Sequence, residues 1–197
     1  MNVSEYRGSQ TSDARLVASA KRGDAEAFAL LYRRYLDRVY DFVAARVESI
    51  ETAQDATQTI FLRVLTALPQ CRDEEHFAGW LFAIARNVVI DSYRSPRQIL
   101  VDVDAIPDLE DRAESPESLA VRSDDARTLR EARDRCLSGV EHELLDLRLQ
   151  DLTSPEIAIA MKRSQTAIRN LQYRMIRRLR ECLGIRASRR EETHVEA

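Results

Sequence analysis

The sequence predicts an all-α fold made of two small helical domains joined by a flexible acidic linker. Its 197 residues include only five Gly and five Pro, and runs of β-branched residues are few, which favours helices over strands. Apolar residues recur three or four positions apart along most of the chain, as they do on amphipathic helices. An acidic segment with poor periodicity separates two such regions. A chain of this length has room for two domains of about 70–100 residues each.

The first domain is expected at residues 12–97, after a flexible N-terminus at residues 1–11. Gly23 suits the left-handed position that ends a helix, and Asp24 restarts the helical pattern. Pro69 stops a later helix, and a short polar loop follows it. Four amphipathic helices result, with approximate limits at Asp13–Lys21, Asp24–Val43, Thr52–Leu68 and His76–Tyr93.

The linker is expected at residues 98–125, where nine acidic residues stand against two arginines. Its two prolines and weak periodicity favour an extended, unpacked segment. The second domain is expected at residues 126–183, with a break at Ser138-Gly139 between two of its helices. The polar tail at residues 184–197 is expected to be flexible.

The second domain contains a helix-turn-helix pattern at Leu152–Arg180. Ser154 can cap its first helix, with Pro155 in the first turn, and Ser164 can cap its second helix. Apolar residues with helical spacing then form a stripe on the second helix: Ile168, Leu171, Met175 and Leu179. A capped helix, a tight turn and a second amphipathic helix are typical of proteins that read DNA in the major groove.

Local charge favours DNA over the alternative, a helical hairpin with a solvated basic face. Residues 162–190 contain ten basic residues and one acid, Glu181, whereas a solvated helix usually mixes its signs. The net charge of −3 hides this asymmetry. Several side chains early in the second helix are of the types that bond base edges and phosphates. They are Gln165, Thr166, Arg169, Asn170 and Tyr173.

The residue pattern gives no sign of catalysis or of a cofactor. Cys71, Cys136 and Cys182 are far apart and match neither a zinc site nor an even-numbered disulfide framework. We therefore expect unpaired thiols in a reducing cytoplasm. There is no Gly-rich phosphate loop and no nucleophile–base pair. No signal peptide and no apolar run of about 18 residues is present. The sequence predicts a soluble cytoplasmic protein that is not an enzyme and has no membrane segment, cofactor or metal.

Four motifs in a fixed order carry a resemblance to a known family. They are LVASAKRGDAEAFALLYRRY, AQDATQTIFLRVLTALP, FAGWLFAIARNVVIDSYR, and LTSPEIAIAM with IRNLQYRMIRRLR. With these motifs the chain resembles the extracytoplasmic-function (ECF, group IV) sigma factors of bacterial RNA polymerase, in the sigma-70 family. The resemblance covers residues 13–183 and implies a sigma-2-like helical bundle followed by a sigma-4-like helix-turn-helix domain. It implies a factor that directs promoter-specific initiation.

By resemblance, the second domain reads the −35 promoter element as duplex DNA. Arg pairs with guanine and Asn with adenine, and each good bidentate pair contributes about 1–3 kcal/mol of discrimination. The implied −35 residues are Ser164, Gln165, Thr166, Arg169, Asn170, Tyr173 and Arg174. Lys162 stands where the family commonly has Gly, and Leu171-Gln172 replaces a typical Arg-Leu pair, so promoter preference is not transferable from a relative.

By resemblance, the first domain opens the −10 element and holds an extruded base, whose unstacking costs a few kcal/mol. The implied −10 residues are Arg72, Asp73, His76, Asn87, Tyr93 and Arg94. Trp80 could stack on a base, but its phase with Phe77 and Ile84 favours core packing.

By resemblance, the third helix docks on the clamp helices of the polymerase's largest subunit, and the second domain meets the flap of the second-largest subunit. The implied docking residues are Asp55, Gln58, Thr59 and Phe61. Because Thr59 replaces a common acid, we also consider that Thr57 or Thr59 is phosphorylated by a Ser/Thr kinase, which would restore negative charge. The family further implies an anti-sigma partner that wedges between the domains.

Two other classes of protein remain open at this point. One is an autonomous helix-turn-helix regulator whose N-terminal domain is a sensor. The other is a helical adaptor that mimics a sigma factor and binds polymerase without DNA. The segment IARNVVIDSYR favours the sigma factor, because a sensor does not need it.

Overall fold

The computed structural model describes residues 11–47, 49–94 and 135–182, and within these ranges it contains helices and no β-strand. The all-α expectation is confirmed. The helices, numbered in chain order, are α1 (Asp13–Lys21), α2 (Ala25–Ala44), α3 (Ile50–Ala67), α4 (Phe77–Arg94), α5 (Gly139–Leu149), α6 (Ser154–Ala160) and α7 (Gln165–Cys182). A 3₁₀ turn at Leu68–Gln70 follows α3 and contains Pro69.

Several predicted segments lie outside the described residues. They are the acidic linker at 98–125, the tail at 184–197, most of the helix expected at 126–137, and the N-terminus up to residue 10. The limits of the two predicted domains therefore stay predictions.

The junction between α1 and α2 forms as the sequence predicts. Gly23 has a φ of 90°. Its amide donates a hydrogen bond to Ala20 O at 2.9 Å, and the Asp24 amide donates to Ser19 O at 3.3 Å. This is the pattern of a Schellman cap. The Asp24 carboxylate accepts hydrogen bonds from two amides in the first turn of α2, at 3.1 and 3.2 Å. A glycine end and an aspartate start thus set the angle between the first two helices.

Helices α1 to α4 enclose one apolar core, which is rich in aromatic rings. Phe42 and Phe82 meet edge to face with centroids 5.3 Å apart, and Tyr35 and Phe77 do so at 5.5 Å. Such pairs add about 0.5–1.5 kcal/mol beyond the burial of their area. Among the fully buried aliphatic side chains around them are Leu16, Leu31, Ile60 and Leu81.

Residues 146–168 form one compact unit with α1 to α4, while residues 135–145 and 169–182 form a second unit. In the first unit α6 packs on α4. Arg46 bonds the carboxylate of Asp146, and both side chains are largely buried, at 16% and 10% exposure. Arg38 donates to the carbonyl oxygen of Gln150. The first helix of the helix-turn-helix is therefore built onto the helical bundle.

Gly79 allows the close approach of α6 to α4. A Cβ atom on Gly79 would lie 2.6 Å from the carbonyl oxygen of Glu156 and 2.8 Å from its Cα atom. Both are backbone atoms, so no change of rotamer could relieve the overlap. Only glycine fits here without moving one helix.

The expectation of unpaired thiols is wrong for two of the three cysteines. Cys136 and Cys182 form a disulfide, with Cα atoms 6.0 Å apart and a sequence separation of 46. Cys71 is a free, buried thiol. Sequence spacing could not reveal the pair, because it depends on where the far end of α7 comes to lie.

Candidate nucleic-acid interface

The N-cap of helix α6 lies one residue before the predicted one. Thr153, not Ser154, is the N-cap, and it forms a capping box with Glu156. The Glu156 carboxylate accepts from the Thr153 amide and hydroxyl, each at 2.6 Å. Ser154 instead accepts a hydrogen bond from Arg148. The prediction that Ser154 caps the helix is wrong, because a Thr followed three residues later by Glu is the stronger capping pair.

The turn between α6 and α7 is a Schellman motif built on Lys162. Lys162 has a φ of 52°, and its amide donates to Ile159 O at 3.1 Å while the Arg163 amide donates to Ala158 O at 2.9 Å. This is the left-handed position that glycine usually occupies. Ser164 then caps α7 by accepting from the Ala167 amide at 3.2 Å, as the sequence predicts.

Replacing Lys162 by Gly is expected to stabilise the fold modestly. A non-glycine residue in the left-handed region destabilises the fold by about 1–2 kcal/mol, which glycine avoids. Glycine in turn loses more conformational entropy on folding, which offsets about 0.5–1 kcal/mol of this gain. We expect a rise of up to about 1 kcal/mol in the free energy of unfolding, measured with urea. Arg163→Gly, at a neighbouring position without a positive φ, is the control and should destabilise. Equal losses in both variants would mean that the turn is not left-handed at Lys162.

Helix α7 has one buried face and one face exposed to solvent. Ile168, Leu171 and Met175 are buried, which confirms the apolar stripe up to Met175, while Leu179 is half-buried. All seven residues expected to meet the −35 element have exposed side chains: Ser164, Gln165, Thr166, Arg169, Asn170, Tyr173 and Arg174. Tyr173 is 71% exposed. A large aromatic residue in solvent on a basic helix suits a face that is covered by a ligand.

A buried carboxylate that sequence reasoning missed anchors the far half of α7. Glu141 is 3% exposed. It accepts hydrogen bonds from the amide and hydroxyl of Ser138 at 2.9 and 2.8 Å, and from Arg178 at 2.8 Å. Burial opposes its ionisation, but these hydrogen bonds and the charge of Arg178 outweigh burial and lower the pKa of Glu141. Arg178 is therefore an anchor of the helix and does not belong to the DNA-facing set.

The lowered pKa of Glu141 predicts a pH-dependent contribution to stability. Since the folded-state pKa lies below that of the unfolded chain, the contribution is fully present above the ordinary glutamate pKa, about 4.3, and is lost as the pH falls through the folded value. Glu141→Gln should lower the free energy of unfolding by about 1–3 kcal/mol at neutral pH. The difference from wild type should shrink as the pH is lowered from about 5 to about 3. A constant difference over this range would exclude the ionised Glu141–Arg178 pair.

The loop before α4 is held in place by its own side chains. The Asp73 carboxylate accepts from the His76 amide at 3.2 Å and lies 2.8 Å from Nδ1 of the same ring, and the hydrogen bond from His76 lowers the pKa of Asp73. Lys21 bonds the Cys71 carbonyl oxygen and, at 2.7 Å, the Glu74 carboxylate. The loop is thus ordered before any strand binds.

An open cleft of about 440 Å³ brings this loop to the helix-turn-helix. Asp73 and His76 line one side, and Lys162, Arg163 and Gln165 lie on the other, with apolar side chains of α6 between them. Two groups of residues expected to meet separate promoter elements, the loop's pair and the start of α7, therefore face the same space.

Two further predicted −10 residues lie at the surface. Arg72 and Asn87 are exposed, and Trp80 is half-buried with its ring centroid 5.8 Å from that of Phe77. Tyr93 and Arg94 lie in the last turn of α4, and their side chains are outside the described residues. Asp73, His76, Arg72 and Asn87 are thus available on one segment, from the loop to the middle of α4.

Half of the predicted polymerase-docking set is inaccessible. Asp55 and Gln58 are exposed on α3, whereas Thr59 and Phe61 are buried, each at 5% exposure. The ring of Phe61 packs on Tyr32 with centroids 4.5 Å apart. Thr59 and Phe61 therefore point into the helical bundle and do not lie on the exposed face of α3.

Burial also contradicts accessibility of the two predicted phosphorylation sites. Thr57 is 4% and Thr59 is 5% exposed, and the Thr57 hydroxyl donates to the Ala53 carbonyl oxygen at 2.7 Å. A phosphate at either position would place charge in the apolar core, where burial costs several kcal/mol or more. The structure gives a kinase no route to these hydroxyls.

Within the described ranges, no group of three or more His, Cys, Asp or Glu side chains could hold a metal ion. In the same ranges no helix is both long enough and apolar enough to cross a membrane.

Comparison with known proteins identifies the helical bundle. Residues 31–98 match the family model of sigma-70 region 2. The ECF RNA polymerase sigma factor BldN of Streptomyces coelicolor is 38% identical over 174 residues, which cover 85% of this chain and 64% of BldN. The ECF RNA polymerase sigma factor SigX of Bacillus subtilis is 28% identical over 162 residues, 79% of this chain and 83% of SigX.

A solved structure shows the same fold. The chain is similar to the structure of CnrH in complex with the cytosolic domain of CnrY, with a TM-score of 0.64, 22% sequence identity, and coverage of 89% of this chain and 99% of that one. In this chain a bundle that matches sigma-70 region 2 is followed by a helix-turn-helix. Its relatives BldN and SigX are both ECF RNA polymerase sigma factors, and these likenesses support a sigma factor that directs transcription initiation.

Proposed function

We propose that this protein is a group IV sigma factor that works in the cytoplasm, binds core RNA polymerase, reads the −35 element with α7 and opens the −10 element with the loop and face of α4. One observation carries this proposal. The seven −35 residues are all exposed on the helix that follows a capped turn, while the opposite face of that helix is buried. Arg and Asn side chains on such a face suit direct readout of guanine and adenine.

The −10 reader in this proposal is the segment from Arg72 to Asn87, with Tyr93 and Arg94 beyond it. The Asp73–His76 pair offers a carboxylate and a ring at the mouth of an open cleft. A carboxylate repels phosphates but accepts hydrogen bonds from base amino groups, so Asp73 is suited to an extruded base. Arg72 is exposed beside it and supplies a positive charge for the backbone of the strand.

Core polymerase docks, in this proposal, on the exposed face of α3 that includes Asp55 and Gln58. Thr59 and Phe61 support this face from the core. A double variant, Asp55→Ala with Gln58→Ala, should reduce capture by immobilised core polymerase. Asp37→Ala, which removes one exposed carboxylate from α2, is the matched control and should be captured like wild type.

The closed arrangement of α6 on α4 is the resting state of the free chain in this proposal. The −10 and −35 elements are about 25 base pairs apart, or roughly 85 Å at 3.4 Å per base pair. A single cleft of about 440 Å³ cannot serve both elements together. Polymerase must therefore hold α6 away from α4, and an anti-sigma partner that wedges between the domains would act by keeping polymerase from binding them.

Runoff transcription with purified core polymerase on a genomic promoter library tests the activity. We expect initiation from a defined set of promoters that share two separated elements. The second candidate, an autonomous helix-turn-helix regulator, predicts tight operator binding by the chain alone and no added initiation. A sigma mimic predicts capture by polymerase with no promoter-specific product.

A further inference from the structure

The pair Cys136–Cys182 lies at a place where it can control the recognition helix. Cys136 precedes α5, and Cys182 is the last residue of α7. Their Cα atoms are 6.0 Å apart, within the usual 4.4–6.8 Å range of disulfides. Both residues belong to the same compact unit. The disulfide therefore links two residues of one compact unit that are 46 positions apart in the sequence.

The disulfide extends the anchoring face of α7. With 3.6 residues per turn, Cys182 lies one turn beyond Arg178 and on the same side as buried Met175. Arg178 is already paired with Glu141, so the disulfide adds a second tie from this face to the segment at 136–141. Tyr173 lies on the opposite side of the helix and is exposed. The tie leaves the DNA-facing side chains unobstructed.

We propose that Cys136–Cys182 is a reversible disulfide that fixes the last turns of α7, so that the redox state of the protein sets how firmly the recognition helix is held. The proposal rests on the proposed function only for its setting, the cytoplasm, and for its consequence, −35 binding. Cytoplasmic disulfides are uncommon and are usually transient redox sensors. Helix ends fray. Without the disulfide, the ion pair that links side chains within the last turn of α7 is the exposed Arg177–Glu181 pair, at 3.5 Å.

Oxidised glutathione is sufficient as the oxidant. The thiolate of exposed Cys182 attacks one glutathione sulfur, which forms a mixed disulfide and releases one glutathione thiolate. The Cys136 thiolate then attacks the Cys182 sulfur, forms the internal disulfide and releases the second glutathione thiolate. Two cysteines lose two electrons in total, glutathione disulfide gains them, and the two cysteine protons pass to the released thiolates. An excess of a dithiol reverses both steps by the same exchange.

The third cysteine takes no part. Cys71 is 1% exposed in the core beneath the loop before α4, and burial raises the pKa of its thiol. A buried thiol in apolar surroundings reacts slowly because the thiolate is the reactive form. Cys71 therefore provides a control within the same chain.

Hydrogen exchange on the full-length protein tests the inference. Wild type is treated with oxidised glutathione or with dithiothreitol, and mass spectrometry after proteolysis identifies linked peptides. We expect a Cys136–Cys182 peptide in the oxidised sample alone, and amides at residues 177–182 that exchange about tenfold more slowly there. Cys71→Ser should respond like wild type, and Cys182→Ser should show no response. The wild-type comparison needs no variant to fold.

Either of two results would overturn the inference: no linked peptide at excess oxidant, or a linked peptide with unchanged exchange at residues 177–182. A second measurement uses holoenzyme and a promoter duplex selected by runoff transcription. Oxidised holoenzyme should bind it about three- to tenfold more tightly, and equal affinity would refute the consequence for DNA. If holoenzyme bound no promoter in either state, the proposed function would fail, while the exchange result would still decide the disulfide.

Discussion

Gly79→Ala is expected to weaken the docking of α6 on α4 and to lower the free energy of unfolding. The new methyl group would lie 2.6, 2.8 and 3.1 Å from three backbone atoms of Glu156. Overpacking of this kind costs about 1–3 kcal/mol, or more where the backbone must move. Alanine returns about 1 kcal/mol through its higher helix propensity. We therefore expect a net loss of about 2 kcal/mol in urea unfolding of the full chain.

The same substitution at a second glycine provides the control. At Gly139, in the first turn of α5, nothing lies within 4 Å of an added Cβ, so Gly139→Ala should be neutral or stabilising. If Gly79→Ala were instead stabilising, the higher helix propensity of alanine would be its only effect. The added methyl group would then meet no backbone of α6, so α6 would not pack against α4 in solution. Such a result would refute the closed resting state.

Gly79→Ala also has an expected consequence for activity. Polymerase must separate α6 from α4 in the proposed mechanism. A weaker contact between these helices therefore lowers the free energy that polymerase binding has to supply. A loss of about 1.4 kcal/mol in docking would raise the apparent affinity for core polymerase up to tenfold. Titration of core polymerase with labelled protein measures this effect. Lower stability together with higher polymerase affinity distinguishes release of a closed state from general damage to the fold.

The double substitution Arg169→Ala and Arg174→Ala is expected to abolish most promoter binding. Both side chains are exposed on α7, beside Asn170 and Tyr173. Each Arg contact to a base is worth about 1–3 kcal/mol, so if the two losses add the pair should cost about 30- to 20,000-fold in affinity. Contacts to phosphate would also reduce the slope of log affinity against log salt by about 1 per side chain.

Binding of holoenzyme to a selected promoter duplex measures this loss. Arg22→Ala with Arg33→Ala removes the same charge from two exposed positions, the C-cap of α1 and the middle of α2, and should leave affinity within a few-fold of wild type. Similar losses in the two doubles would indicate non-specific attraction to DNA. Unchanged capture by core polymerase in both would show that the defect lies in DNA reading.

Local sequence chemistry determined the helices and the faces of the recognition element. Gly23 and Asp24 specify a helix end and a helix start because one tolerates positive φ and the other accepts backbone amides. The stripe through Ile168, Leu171 and Met175 fixed which side of α7 is buried. The exposure of the residues proposed to read the −35 element follows from the same 3.6-residue period. Each inference needed only neighbours within one or two turns.

Inference from motifs was less accurate where a side chain's orientation mattered. Resemblance to the family motif predicts that Thr59 and Phe61 take part in docking, yet both side chains point into the bundle. Thr57 looked available for modification but bonds its own helix. A motif shared with a family records residue types along a segment. Which of them reach solvent depends on helix phase and on the neighbouring helices.

From the sequence, caps, periodicity and charge predict a helical chain with a basic amphipathic helix because they are local properties, and the motifs add the resemblance to sigma factors. The tertiary structure alone decided that α6 lies on α4 at Gly79, that Glu141 holds Arg178, and that Cys136 meets Cys182. These contacts join residues 37 to 77 positions apart in the chain. No periodicity records such distances, since they result from how the packed helices bring remote segments together.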